Sequence, residues 1–215
     1  VNYSLENSGT WETLANGDRV WRLRIVSQDA YSINLLYENF DIPMGAKLYV
    51  YNDDRSQVIG AFTYKNVKEH GEFATAPVAG QSITVEYVVP EYVRETGTLT
   101  ISRGVHAYRN YFGKKTDKGF GDSGSCNNNV NCPVGADWQD TKRAVAMILT
   151  SGGSRICSGS LVNNVRQDAT PYFLTANHCL GGEENWIFMF QYESPNCTNI
   201  DGPTNYTISG TTLLA

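Results

Sequence analysis

The chain reads as all-β: a β-sandwich or jelly roll followed by a second, barrel-like β unit. Three observations predict this. Residues 1–112 carry short runs that alternate in polarity between turn residues. The later segments hold longer continuous apolar runs. The five cysteines (Cys126, Cys132, Cys157, Cys179, Cys197) all fall in the second part. A two-residue period puts one apolar face on a core and one polar face in water, as in half-buried antiparallel strands. Unbroken apolar runs suit strands of a closed barrel.

The elements follow in order. In VWRLRIV (20–26), Trp21, Leu23 and Ile25 take one face and Arg22 and Arg24 the other. Ile33, Leu35 and Tyr37 alternate with Ser32 and Asn34, which predicts a polar face for those two residues. KLYVY (47–51), QVIGAFTY (57–64), Ile83/Val85/Tyr87 and TLTIS (98–102) add further strands, with Asn52-Asp53-Asp54 as a hairpin turn. Six or more such strands without a convincing helix make a sandwich. The pattern then breaks in YFGKKTDKGFG (111–121), an expected exposed connector and candidate processing segment at about 113–120. From 121 to 215, RAVAMILT, CSGSLVNN, TPYFLTA and NWIFMFQYE supply the strands of the second unit.

Composition excludes several functions. The net charge of −5 and the absence of a Lys/Arg stripe argue against a nucleic-acid surface, which needs clustered cations. The runs AVAMIL and WIFMF fall far short of the roughly 20 residues that cross a bilayer, so no membrane span is expected. Cysteines confined to one part predict a disulfide-stapled unit in an oxidising, extracellular compartment, and an odd count leaves one without a partner in this chain. No C-x2-C pair exists, and His178 beside Cys179 lacks the spacing of a structural zinc site. No metal and no cofactor are expected. Asp53 and Asp54 suit a turn better than a calcium loop. His70 and His106 have no sequence partners that would mark them as functional, and are read as structural.

The chemistry-bearing segment is CSGSLV (157–162) followed by FLTANHC (173–179). A histidine at a cysteine-flanked strand end, preceded by the small Thr175 and Ala176, suits a general base held in one orientation. These two pieces resemble the histidine region of trypsin-like serine endopeptidases. GDSGSCNNNVNCP (121–133), RAVAMILTSGG, CSGSLVNN and QYESPNCT (191–198) look like the start of the mature domain of bacterial lysyl endopeptidases. The earlier WRLRI, IPMGAKLYVYNDD, GEF, VAGQSITVEYVVP and HAYRNY are similar to the β-rich pro-region that precedes such proteases.

The resemblance implies a sandwich pro-domain over 1–112, joined to the first barrel half of a trypsin-like fold over 121–215, acting on polypeptides outside the cell. It implies His178 as catalytic base, disulfides Cys157–Cys179 and Cys132–Cys197, and an unpaired Cys126 whose partner lies downstream. The catalytic Asp and Ser of the family also lie downstream, so this chain is expected to be inactive alone. Asp201 follows His178 too closely, in a loop-like NIDGPTN, to be the orienting carboxylate. Ser123 in GDSG precedes the histidine, the wrong order for a trypsin-like nucleophile, and the segment lacks the strand and spacing of a hydrolase elbow. Gly121 aligns with the mature start. Phe120 rather than lysine precedes it, and Lys118 lies two residues upstream, which leaves the activation cleavage open among these positions. The rival reading is a non-catalytic adhesion, carbohydrate-binding or protein-binding protein carrying a degenerate protease-like domain.

Overall fold

The computed structural model describes residues 1–108, 124 and 126–214. In chain order the strands are β1 (Tyr3–Ser4), β2 (Thr10–Thr13), β3 (Arg19–Val26), β4 (Ser32–Asp41), β5 (Lys47–Asn52), β6 (Val58–Phe62), β7 (Phe73–Ala74), β8 (Val78–Ala79), β9 (Ser82–Val89) and β10 (Thr98–His106). After these come β11 (Val145–Leu149), β12 (Arg155–Val162), β13 (Tyr172–Leu174), β14 (Ile187–Phe190) and β15 (Thr207–Ser209). The remaining regular pieces are short 3-10 turns, and the fold is all-β as expected.

The first ten strands form two antiparallel sheets of five. One runs β2-β3-β9-β5-β6; the other runs β1-β10-β4-β7, with β8 also on β4. Their facing side chains share one apolar cluster that includes Trp21, Leu35, Tyr37, Phe40, Leu48, Phe73, Val85 and Tyr87. Phe40 stacks on Phe73 with centroids 4.3 Å apart, and Phe62 meets Phe73 edge-on. Tyr37 buries its hydroxyl here, and burial pushes its pKa up. Strand β9 follows the expected alternation, with Ile83, Val85, Tyr87 and Val89 inward. On the outer face Glu86 takes Arg22 Nε at 2.7 Å, and Arg24 pairs with Asp53. Asp53 also accepts from Ser82 on β9, which ties the β5–β6 turn to its neighbouring strands, and Asp54 accepts from Ser56 within the turn.

Strand β4 departs from the sequence expectation. Ser32 and Asn34, assigned to a polar face, are buried along with Ile33, Leu35, Leu36 and Tyr37. Alternation reports which residues share a face, not whether the second face is open. Here it is covered by the last five strands. Those strands form a single antiparallel sheet, β13-β12-β11-β14-β15, which curls around a smaller cluster of Ala146, Ile148, Cys179, Trp186 and Phe188. Strand β15 was not foreseen from the sequence, because TIS lacks a long apolar run; it is placed by pairing with β14. No helix is long and apolar enough to cross a membrane among the described residues.

Candidate functional site

His178 is placed by a strand end, a turn and a disulfide. Strand β13 pairs with β12, Leu174 lying opposite Ser160. Just beyond it, the Thr175 hydroxyl donates to the Ser158 carbonyl at 2.9 Å, extending the tie between the two strands. The chain then tightens into a 3-10 turn over Asn177–Cys179, closed by Cys179 N–H to Ala176 O at 2.9 Å and Leu180 N–H to Asn177 O at 3.2 Å. Cys179 is buried in the small apolar cluster and bonded to Cys157 on β12, with their Cα atoms 6.1 Å apart. The turn is therefore held from both sides while the His178 side chain faces solvent.

The glycine of CSGSLV has a packing reason that sequence inspection did not identify. A Cβ at Gly159 would stand 2.4 Å from the Leu174 carbonyl oxygen and 2.4 Å from the Phe173 ring. Only a bare backbone lets β12 and β13 approach this closely. Gly159→Ala is expected to destabilise the protein by about 1–3 kcal/mol through overpacking. Urea unfolding of the variant beside the parent checks this; an unchanged midpoint would mean that the strands separate without cost.

The β12–β13 connection is itself organised. Asp168 accepts from Asn164 Nδ2 at 2.6 Å, Thr170 Oγ1 at 2.6 Å and Thr170 N–H at 3.0 Å. These donors hold its carboxyl down to about 2. Behind the histidine turn lies a cavity of about 370 Å³, whose lining includes Tyr172, Leu174, Asn177, Trp186, Phe188 and Leu213. The Trp186 indole N–H is buried there without a hydrogen-bond partner among the described residues.

The second disulfide joins Cys132 to Cys197. It is backed by Lys142 Nζ, which donates to Glu193 Oε1 at 2.6 Å and to Asn131 Oδ1 at 2.7 Å, while Asn131 Nδ2 donates to Ser194 O at 2.7 Å. Together these bonds fasten the segment before β11 to the segment after β14. Cys126 is exposed, its thiol free.

Among the described residues no hydrogen bond joins the His178 ring to a serine, a thiol or a carboxylate. Asp201 lies elsewhere, accepting from the Tyr192 hydroxyl at 3.1 Å. The sulfurs of Cys157 and Cys179 approach the His178 ring, within 4.8 Å of one another, but they are bonded together and offer no thiolate to a metal. Lys118, Phe120, Gly121 and Ser123 lie outside the described residues. His106 Nδ1 meets Ser27 Oγ at 2.8 Å, and His70 contacts Thr211 O at 3.3 Å; neither bond involves His178. The arrangement offers one rigidly mounted, solvent-facing imidazole able to exchange a proton with a group brought to it.

Known proteins resemble the chain along most of its length. Residues 4–102 match the family model described as the lysyl endopeptidase N-terminal domain. Residues 120–215 match the model described as lysyl endopeptidase, C-terminal domain. A lysyl endopeptidase of Pseudomonas aeruginosa is 31% identical over 128 residues, covering 54% of this chain and 27% of that protein, so the match spans about a quarter of the relative's length. No solved structure matches. With one family's two domain models met in order along an all-β fold, the chain is a lysyl endopeptidase-like protein.

Proposed function

We propose that the chain is the pro-region and first barrel half of a secreted serine endopeptidase precursor that cleaves polypeptides, with His178 as general base. The observation that carries this reading is the mounting of His178: a solvent-facing imidazole on a turn fixed by Cys157–Cys179. In the reaction, His178 takes the proton from a serine hydroxyl as that oxygen adds to the scissile carbonyl carbon. It returns the proton to the amine that leaves when the C–N bond breaks. The serine, and the carboxylate that holds the imidazole in one tautomer, come from sequence downstream of Ala215. Cys126 pairs with a downstream cysteine in the same way. Two disulfides in the second unit favour an oxidising, extracellular setting. The relative's name supports cleavage next to lysine.

Residues 1–112 act as the pro-domain, and residues 113–120 carry the processing cut, near Lys118, Phe120 or Gly121, that releases a mature enzyme beginning close to Gly121. The test is active-site titration with a serine-directed phosphonate. The full-length precursor, once processed, is expected to bind one equivalent and to hydrolyse a lysyl peptide, while the 1–215 chain binds none. Stoichiometric labelling of 1–215, or no labelling of the processed full-length protein, overturns the reading. The second outcome would leave a binding protein with a degenerate protease-like domain.

A further inference from the structure

We infer that the turn carrying His178 contains a redox-gated metal site, which the Cys157–Cys179 disulfide keeps shut. Once a dithiol reduces that bond, the two sulfurs and the imidazole take up a zinc-like divalent cation, and the histidine is withdrawn from proton transfer. The consequence for catalysis rests on the general-base role proposed above; the site itself does not.

The donors already stand together. Cys157 Sγ, Cys179 Sγ and a His178 ring nitrogen lie within 4.8 Å of one another. In a tetrahedral site, metal–sulfur bonds of about 2.3 Å and metal–nitrogen bonds of about 2.0 Å put neighbouring donors about 3.5–3.8 Å apart. Reduction frees the sulfurs to part toward that spacing, and their Cα atoms, 6.1 Å apart, leave room for the swing. His178 and Cys179 lack zinc-motif spacing along the chain, yet the 3-10 turn presents both of them to the third donor on β12. No carboxylate joins the cluster among the described residues. Two thiolates and an imidazole suit zinc or cobalt rather than magnesium or calcium.

The arrangement does not depend on the disulfide alone. Cys157 lies within β12, opposite Ile148 of β11, and Ser160 of the same strand lies opposite Leu174 of β13. The Thr175 hydroxyl holds the Ser158 carbonyl, and Cys179 N–H holds Ala176 O. Cys179 also belongs to the apolar cluster of Ile148, Trp186 and Phe188. All of these contacts persist when the S–S bond opens, so the three donors stay neighbours. The exposed His178 ring leaves the fourth coordination position to water, which makes this an open site.

The chemistry balances with a dithiol as reductant. One of its thiolates attacks the half-buried Cys157 sulfur and Cys179 leaves as a thiolate; the second thiol then closes the reagent's own disulfide and releases Cys157. Two electrons pass to the cysteine pair, and the reagent's two protons go to the cysteines until the cation displaces them into water. A neutral imidazole has one lone-pair nitrogen, and the other carries its proton. With the cation on that lone pair, no nitrogen is left to accept a proton from a serine. Reoxidation to the disulfide removes both thiolates and expels the metal.

The test uses the 1–215 chain with Cys126 alkylated beforehand, reduced by a dithiol, freed of the reagent without air, and titrated with Co2+ alone. Near-UV dichroism records that the reduced chain is folded. It is expected to bind one Co2+ with thiolate charge-transfer and tetrahedral visible absorption, and the oxidised chain to show neither. A variant carrying Cys157→Ala and Cys179→Ala keeps Cys132 and Cys197 and sets the background from that pair. His178→Ala should weaken binding roughly tenfold or more, since it removes a direct ligand. With Zn2+ in place of Co2+, diethyl pyrocarbonate modification read peptide by peptide should find His178 protected in the reduced chain only, with His70 and His106 unchanged. Equal Co2+ absorption in the double variant, unchanged affinity in His178→Ala, a reactive His178 under Zn2+, or loss of the near-UV signal before metal binds overturns the inference. None of these readouts requires catalysis. A failed active-site titration would therefore sink the protease reading and leave the metal site standing, whereas a reduced chain silent to Co2+ would do the reverse.

Discussion

Replacing His178 by alanine in the processed full-length protein is expected to lower kcat/KM by about 10⁴- to 10⁶-fold, with the loss in kcat rather than KM. The reason is that a serine hydroxyl is a poor nucleophile until its proton is taken as the new bond forms, and the leaving amine needs that proton back. Substrate binding uses other surfaces, so ground-state affinity should barely move. A structural role predicts a different pattern. In the 1–215 chain His178 is solvent-facing and makes no hydrogen bond among the described residues, so its removal there should leave the thermal midpoint and near-UV dichroism unchanged. Steady-state kinetics on a lysyl peptide, with titration to count competent sites, separates the two. A His178→Ala protein retaining more than a small fraction of parental kcat would end the general-base assignment.

Removing the Cys132–Cys197 disulfide should be the costliest covalent change in the second unit. It closes a loop of 65 residues, and the entropy restored to the unfolded chain corresponds to about 4 kcal/mol. The Cys157–Cys179 bond closes only 22 residues and corresponds to about 3 kcal/mol. Double alanine variants avoid stranded thiols. The Lys142–Glu193–Asn131 network stays in place beside the lost bond, which keeps the native state comparable. Denaturant unfolding under non-reducing conditions, with Cys126 alkylated, is expected to give a lower midpoint for both variants, the Cys132/Cys197 variant lower, with steeper slopes because less constrained unfolded chains expose more surface. The reverse order would show that the smaller loop does more in the native state, by holding the histidine turn, than in the unfolded one. For function the two bonds differ as well: loss of Cys157–Cys179 frees the turn that carries His178, whereas Cys132–Cys197 lies away from it.

Much of the fold was legible along the chain. The alternation in β9 put Ile83, Val85 and Tyr87 on one face, and they are buried there. The CSGSLV and FLTANHC segments located His178, and both disulfide pairings expected from the family resemblance are formed. These features are local: a period of two, a cysteine beside a histidine, a small residue before a turn. What the sequence could not convey depended on which surfaces meet. Asn34 and Ser32 looked like solvent-facing polar residues because alternation is silent about a third layer. Gly159 looked like one glycine among many until the Leu174 carbonyl and the Phe173 ring stood where its Cβ would be. Trp186 read simply as the start of an apolar strand, yet its indole lines a cavity behind the histidine turn.

The sequence by itself determined the all-β class, the two disulfides of the cysteine-bearing later part and the position of the histidine beside one of them. These follow from residue type and short-range spacing, which the chain carries regardless of its fold. Only the tertiary structure decided that the second unit's outer face is closed by the first and that the histidine remains open. Both depend on the relative placement of β4 and β14, residues more than a hundred positions apart that no local pattern relates, because burial of a face is a property of two surfaces and not of one.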